Sequence, residues 1–143
     1  VGVRFNPYLF PEGLDSPVGH ALYKKAGELK MPVGVMCFKG FLPQLPALTA
    51  LLDASPATTL VIDHLGFFRQ PATGGLQGAD ATNDEAAWEA LLALAVRPQV
   101  HVKVSALFRT SAQPPPHADL AFRVQQLLSF YTARKLLWGS DFP

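Results

Sequence analysis

Short apolar runs alternate along the chain with longer segments in which apolar residues recur at every third or fourth position. The short runs predict β-strands at residues 1–5, 31–38, 58–63, 100–105 and 136–139. The longer segments predict helices at 18–29, around 48–52 with an end before Pro56, at 86–96 and at 118–131. Because strand and helix alternate throughout, the pattern predicts a parallel sheet built from βα units.

The apolar stripes also predict which helix faces are buried. In the first helix the stripe consists of Ala21, Leu22 and Ala26, and in the last helix of Leu120, Val124, Leu127, Leu128 and Tyr131. Residues 66–81 are rich in Gly, Gln, Ala and Thr and predict a long loop over the edge of the sheet. Thr82 and Glu85, three positions apart, fit a capping box at the start of the third helix.

Two parallel architectures fit this alternation: an open doubly wound sheet and a (β/α)8 barrel. No G-x-G-x-x-G motif follows the first predicted strand, so a dinucleotide-binding sheet has no support. A complete barrel needs about 250 residues, and five strands with four helices make somewhat over half of one. The sequence therefore predicts one α/β domain at 1–143, a partial TIM barrel that is a fragment without the N-terminal strands and the final helix.

Composition narrows the range of partners. Twelve Lys and Arg against eleven Asp and Glu give a net charge of +1, so no basic field points to nucleic acid. No apolar run approaches the ~20 residues that cross a bilayer, and no signal pattern opens the chain. We expect a soluble, cytoplasmic protein with neither nucleic acid nor membrane as partner; the oligomeric state stays open. The single cysteine, Cys37, lies in an apolar run and is expected to be a buried, inert thiol.

Two of the predicted strands end abruptly at ionisable residues. The third runs into Asp63 and His64, and the fifth into Ser140 and Asp141. Such strand ends meet at the rim where α/β barrels keep their chemistry. Asp141 could act as a general base or merely cap the turn before the last residue. His64 could polarise a carbonyl group, ligate zinc or be a hydrogen-bonded core residue.

Three cations belong to the same set of strands. Arg4 lies in the first strand, Lys103 on the non-valine face of the fourth, and Arg109 just past its end. Guanidinium groups bind carboxylates through two parallel hydrogen bonds, so this group suits a carboxylate-bearing small molecule. The alternatives are an ion pair of Lys103 with Asp141 or Asp63, and a solvated position for Arg109.

Four motifs resemble the amidohydrolase-related (amidohydrolase 2) family of metal-dependent and metal-independent hydrolases. They are GVRFNP at 2–7, VIDHLG at 61–66, VKVSALFR at 102–109 and LWGSDFP at 137–143. The resemblance is nearest to uncharacterised plant and algal members and to the lactonase branch. It implies strands four to eight of a (β/α)8 barrel, with His64 and Asp141 as catalytic residues. It also implies that Arg4, Lys103 and Arg109 bind the substrate.

The chain departs from the family pattern in two places. The H-x-H pair of the first barrel strand is missing, and Met36 stands where many members have a metal-binding histidine. We therefore expect hydrolysis without a cofactor; a divalent metal such as zinc, held by His64 and Asp141, is the alternative. The expected reaction is attack of water on a lactone or similar ester of an anionic molecule. A metal-dependent decarboxylase and a non-catalytic binding module are the competing hypotheses.

Overall fold

The structure is a computed structural model that describes residues 2–68 and 84–141. Its five strands are β1 (Val3–Phe5), β2 (Val33–Val35), β3 (Leu60–Ile62), β4 (Val100–Ser105) and β5 (Leu136–Gly139). Its α-helices are α1 (Pro17–Glu28), α2 (Leu45–Ala54), α3 (Asp84–Ala93), α4 (Leu107–Thr110) and α5 (Ala121–Tyr131). The strands form one parallel sheet in the order β1-β2-β3-β4-β5. In a doubly wound sheet the strand order changes direction within the sheet, whereas in a barrel consecutive strands of the chain are neighbours throughout. The sequential order observed here therefore confirms the partial barrel predicted from the sequence.

Alternation along the strands separates a buried face from a polar one. The buried face packs against the helices through fully buried residues, among them Val33, Val35, Leu60, Ile62, Val100 and Val102 from the strands and Leu48, Leu51, Leu52 and Leu127 from the helices. On the opposite face, the register aligns Arg4 with Gly34, and Val61 with His101. We call this second face the site face, because the candidate residues of β1 and β4 lie on it.

Helix α1 begins at Pro17, one residue before the predicted start, and Ser16 caps it by accepting a hydrogen bond from the Gly19 N–H. Its buried stripe differs, however: Gly19, Tyr23 and Ala26 are buried, while Leu22 is exposed. The reason is the Tyr23 hydroxyl, which donates to the Thr58 carbonyl at 3.0 Å. This bond turns the tyrosine face of the helix towards the sheet. The apolar pattern of the helix alone does not predict which of its faces is buried.

Helix α5 shows a second exchange of this kind. Leu120, Leu127 and Tyr131 are buried as predicted, but Leu128 is exposed and Arg123 is buried. The Arg123 guanidinium lies over the rings of Phe68 and Trp88, at 4.7 and 5.4 Å from their centroids. Two aromatic faces thus make an arginine the better core residue at this position.

Other boundaries shift, or fall outside the described residues. The second strand is shorter than predicted because, past Val35, the chain turns through a hydrogen bond from the Gly40 N–H to the Cys37 carbonyl. The predicted loop is described only from Gly66 to Phe68. Thr82 of the predicted capping box lies outside the described residues, while Glu85 pairs with Arg123. In the described part of the chain, no helix is long and apolar enough to cross a membrane.

Candidate active site

The central pair of the site is a histidine and an aspartate from different strand ends. His64 lies two residues past the end of β3, and Asp141 lies two residues past the end of β5. The two strands are not neighbours in the sheet, but His64 Nε2 lies 3.5 Å from Asp141 Oδ1. Parallel strands bring their carboxyl ends to one rim, and that rim holds both side chains. The expectation that these two groups emerge on the same side of one parallel sheet is therefore met.

The backbone around His64 is strained. His64, Leu65, Gly66 and Phe67 have φ values of 51, 56, 67 and 59°, so four consecutive residues adopt the left-handed region. Residues other than glycine pay roughly 1–2 kcal/mol each for this conformation. The turn puts the imidazole of His64 under the sheet rim, where it is only 3% exposed, and turns the Phe67 ring against it. Strain of this kind clusters at functional sites.

His64 is held in one protonation state by its surroundings. Burial lowers the pKa of His64, and the opposing effect of Asp63 and Asp141 is smaller, so the ring is neutral at pH 7. Its Nδ1 lies 2.7 Å from the buried Ser105 hydroxyl. Because the negative Asp141 carboxylate near Nε2 attracts an N–H dipole and repels a lone pair, the arrangement favours a proton on Nε2 and a hydrogen bond donated by Ser105 to Nδ1. Ser105 thus orients the ring and selects its tautomer.

A second carboxylate, Asp63, organises two of the cations. Arg4 Nη2 lies 2.8 Å and Lys103 Nζ 3.9 Å from the buried Asp63 carboxylate. Arg4 does not approach along an N–H direction, so Asp63 Oδ2 has an ionic neighbour but accepts no hydrogen bond in the described part of the chain. Lys103 therefore forms the ion pair with Asp63 that the sequence allowed as a structural alternative.

Glycines make room for these long side chains. A Cβ atom on Gly139 would lie 2.8 Å from Lys103 Cε, closer than van der Waals contact permits. On Gly34 it would lie 3.8 Å from Asp63 Oδ2, in ordinary contact. Gly139 thus leaves room on β5 for the Lys103 side chain, which extends from the neighbouring strand β4.

Arg109 completes the group on the other side of the pair formed by His64 and Asp141. It lies in the short helix α4, which the sequence did not predict, and its Nε donates to Asp141 Oδ2 at 3.3 Å. Arg109 also lines a cavity of about 340 Å³ together with Phe38, Phe67 and Thr110. The structure therefore brings all five predicted residues to one rim, in two clusters: Arg4 and Lys103 around Asp63, and His64 and Arg109 around Asp141.

Sequence reasoning missed Ser105, Phe38 and Phe67 as members of this site. Strand alternation placed Ser105 on the same face as Lys103, and that signal could have identified it. No sequence signal pointed to Phe67, because its position depends on the left-handed turn after β3.

The described residues do not by themselves form a metal centre. A catalytic zinc site usually has three protein ligands. In residues 2–68 and 84–141, no three His, Cys, Asp or Glu side chains come together in a way that could hold an ion. His64 and Asp141 are adjacent, but Asp141 is bonded to Arg109, and Asp63 is paired with Arg4 and Lys103.

Comparison with known proteins places these features in context. The family model described as Amidohydrolase matches residues 1–143. Over 99 residues the chain is 32% identical to the L-fucono-1,5-lactonase of Burkholderia ambifaria, an alignment that covers 69% of this chain and 31% of that enzyme.

Two solved structures share the fold. One is a probable 2-pyrone-4,6-dicarboxylic acid hydrolase from Acinetobacter baumannii with citric acid bound, at 25% identity and a TM-score of 0.68, covering 100% of this chain and 49% of that one. The other is an amidohydrolase from Burkholderia multivorans with bound HEPES, at 24% identity and a TM-score of 0.73, covering 99% and 50%. The second likeness bears on the fold alone. The chain spans about half the length of both structures.

Proposed function

The chain belongs to the amidohydrolase family, and on that premise we propose that the protein hydrolyses a lactone or similar ester of an anionic small molecule. The observation that carries this proposal is the pair formed by His64 and Asp141. A carboxylate and a neutral imidazole face each other at 3.5 Å on one rim of a parallel sheet, beside a cavity. This pair combines an acceptor for a proton from water with a donor for a carbonyl oxygen.

In the proposed reaction, Asp141 takes a proton from a water molecule, and the hydroxide attacks the carbonyl carbon of the ester. The carbonyl oxygen becomes negative and accepts a hydrogen bond from His64 Nε2–H. The distance of 3.5 Å to Asp141 is longer than a hydrogen bond, so this N–H is available to another acceptor. When the intermediate collapses, the C–O bond of the ester breaks. The leaving alkoxide takes the proton back from Asp141, which yields an alcohol and a carboxylic acid; the acid then loses its proton to solvent and leaves as a carboxylate.

A neutral His64 suits this role. Gain of a second proton, on Nδ1, would keep the Nε2–H but would remove the acceptor of the Ser105 hydrogen bond that orients the ring. Burial disfavours the gain of a proton, and the hydrogen bond from Ser105 to Nδ1 keeps the remaining proton on Nε2. The site is thus preorganised for a developing negative charge without prior reorientation of the ring.

The charge of the site supports an anionic substrate. In the described part of the chain, Arg4, Lys103 and Arg109 pair with two carboxylates, Asp63 and Asp141, which leaves one excess positive charge beside a neutral histidine. Arg4 and Arg109 are about half exposed, so a ligand can reach their guanidinium groups. The names of two similar proteins support the same chemistry. One is a lactonase, and the other is a probable hydrolase of a pyrone dicarboxylic acid with citric acid bound.

The test is Asp141→Asn in the full-length protein, assayed for ring opening across a panel of sugar and dicarboxylate lactones. Asp141 has a φ of 58°, a conformation that asparagine also tolerates, so the substitution preserves the backbone. Loss of a general base should lower kcat by about 10²- to 10⁴-fold. The matched control is Asp15→Asn, an exposed carboxylate that pairs with His20 outside the site.

The outcomes separate the competing functions. Activity of the Asp141→Asn protein equal to that of the Asp15→Asn control would refute the proposed role of Asp141. Release of carbon dioxide in place of ring opening would indicate a decarboxylase. A rise in melting temperature with citrate, together with no turnover of any lactone or ester, would indicate a binding module.

A further inference from the structure

A row of aromatic rings leads from the outer rim to His64. The Tyr8 and Phe38 centroids lie 4.6 Å apart, those of Phe38 and Phe67 6.4 Å, and those of Phe67 and His64 5.0 Å. All three contacts are edge-on, with interplanar angles of 63 to 85°. We call Phe38 and Phe67 the aromatic wall, because both line the cavity of about 340 Å³ that Arg109 bounds on another side.

The aromatic wall is held in place from both ends. At the outer end, the Lys39 backbone N–H donates to the Tyr8 hydroxyl at 2.9 Å, and Lys39 Nζ lies 4.9 Å from the Tyr8 centroid and 5.8 Å from that of Phe38. At the inner end, the left-handed turn fixes Phe67 against the His64 imidazole. A rigid ring surface binds a ligand with little loss of conformational entropy.

The rings of the aromatic wall are partly exposed to solvent, although burial of a phenylalanine ring is favourable. Phe38 is 38% exposed in the described part of the chain, although Phe41, three residues later, is fully buried in the core. The cavity beside it has the size of a small-molecule site, for which about 300–1,000 Å³ is typical. Among the described residues, its lining combines the rings of Phe38 and Phe67 with the Arg109 guanidinium and Thr110, which suits a ligand with a weakly polar face and a negative or hydroxyl-bearing edge.

We propose that Phe38 and Phe67 bind the ring of a cyclic ester, and so make the protein selective for cyclic over open-chain esters. This inference rests on the proposed hydrolase function and adds the residues that determine specificity. A ring stacked on the wall would lie next to His64 at its inner end, where the carbonyl must be polarised. The polar edge of the ring would face Arg109.

The test compares Phe38→Leu and Phe67→Leu with Phe38→Tyr in the full-length protein. The leucine variants keep an apolar side chain but lose the ring, whereas tyrosine retains it. The matched control is Phe130→Leu, an exposed phenylalanine on α5. For a sugar-acid δ-lactone, the leucine variants should raise KM by about 3- to 10-fold, the usual worth of an aromatic contact, with kcat within about twofold. For the methyl ester of the same acid, the leucine variants should raise KM by less than for the lactone, so the ratio of the two kcat/KM values should fall, whereas Phe130→Leu should leave that ratio unchanged.

A binding measurement separates this inference from the hydrolase proposal. Calorimetry with tetrahydropyran-2-carboxylate and an open-chain carboxylate of similar size reports ring preference without turnover. A preference for the ring probe that is lost in Phe38→Leu, and kept in Phe38→Tyr and Phe130→Leu, supports the aromatic wall even in a protein that hydrolyses nothing. Equal affinity of the unaltered protein for both probes would overturn the inference. So would leucine variants that bind and turn over ring substrates like the unaltered protein, which would make Phe38 and Phe67 packing residues only.

Discussion

The hydrogen bond between Ser105 and His64 offers a sharp test of the site geometry, because both residues are buried and each has few other polar contacts. Ser105 is 1% exposed and His64 3% exposed, and their polar atoms lie 2.7 Å apart. Ser105→Ala removes the donor and leaves Nδ1 of a buried imidazole without a partner. An unsatisfied buried polar group costs about 1–3 kcal/mol. We therefore expect the free energy of unfolding to fall by about that amount.

Urea denaturation of the full-length protein measures this loss. With an m-value of about 2 kcal/mol/M, the expected change lowers the midpoint by about 0.5–1.5 M. The control is Ser129→Ala: Ser129 is exposed, and its hydroxyl donates to the Gln125 carbonyl one turn earlier in α5, so its removal should change the free energy of unfolding by less than about 0.5 kcal/mol.

Nitrogen-15 spectra of the His64 ring provide an independent readout. In the unaltered protein we expect the proton on Nε2, and in Ser105→Ala a mixture of the two neutral tautomers. The proposed role of Ser105 would be refuted if the Ser105→Ala protein unfolds at the same urea concentration as Ser129→Ala and keeps the Nε2–H tautomer of His64. In that case another group holds the imidazole.

Gly139→Ala should displace Lys103 from Asp63, because its Cβ would lie 2.8 Å from Lys103 Cε; kcat/KM for an anionic lactone should fall, and an unchanged value would place Lys103 outside substrate binding. Burial raises the pKa of Cys37 to about 12, so a disulfide reagent should label the protein only after unfolding, and stoichiometric labelling of the folded protein would contradict this. Because the pKa of His64 is lowered in the folded state, the unfolded state binds the proton more readily and stability should fall as the pH drops below about 6.5. His64→Gln should weaken that dependence, and an identical pH profile of the urea midpoint would refute it.

The sequence by itself determined the architecture. Period-two and period-3.6 patterns are local properties, and their strict alternation specified a parallel βα fold before any coordinates. Strand alternation also placed Lys103 and Ser105 on one face of β4, and the abrupt ends of two apolar runs located His64 and Asp141 at the rim. These inferences succeeded because each depends on residues that are close together in the chain.

Only the tertiary structure decided how the polar groups pair and which rings accompany them. From the sequence alone, Asp63 could have paired with any of several cations. No sequence pattern predicted burial of Arg123, because its partners Phe68 and Trp88 come from elsewhere in the chain. The aromatic wall depends on a left-handed turn at His64–Phe67 that local propensity disfavours and that the surrounding packing maintains. The physical reason is the same in each case: the energy of a long-range contact depends on distances between strands, and those distances exist only once the sheet has formed.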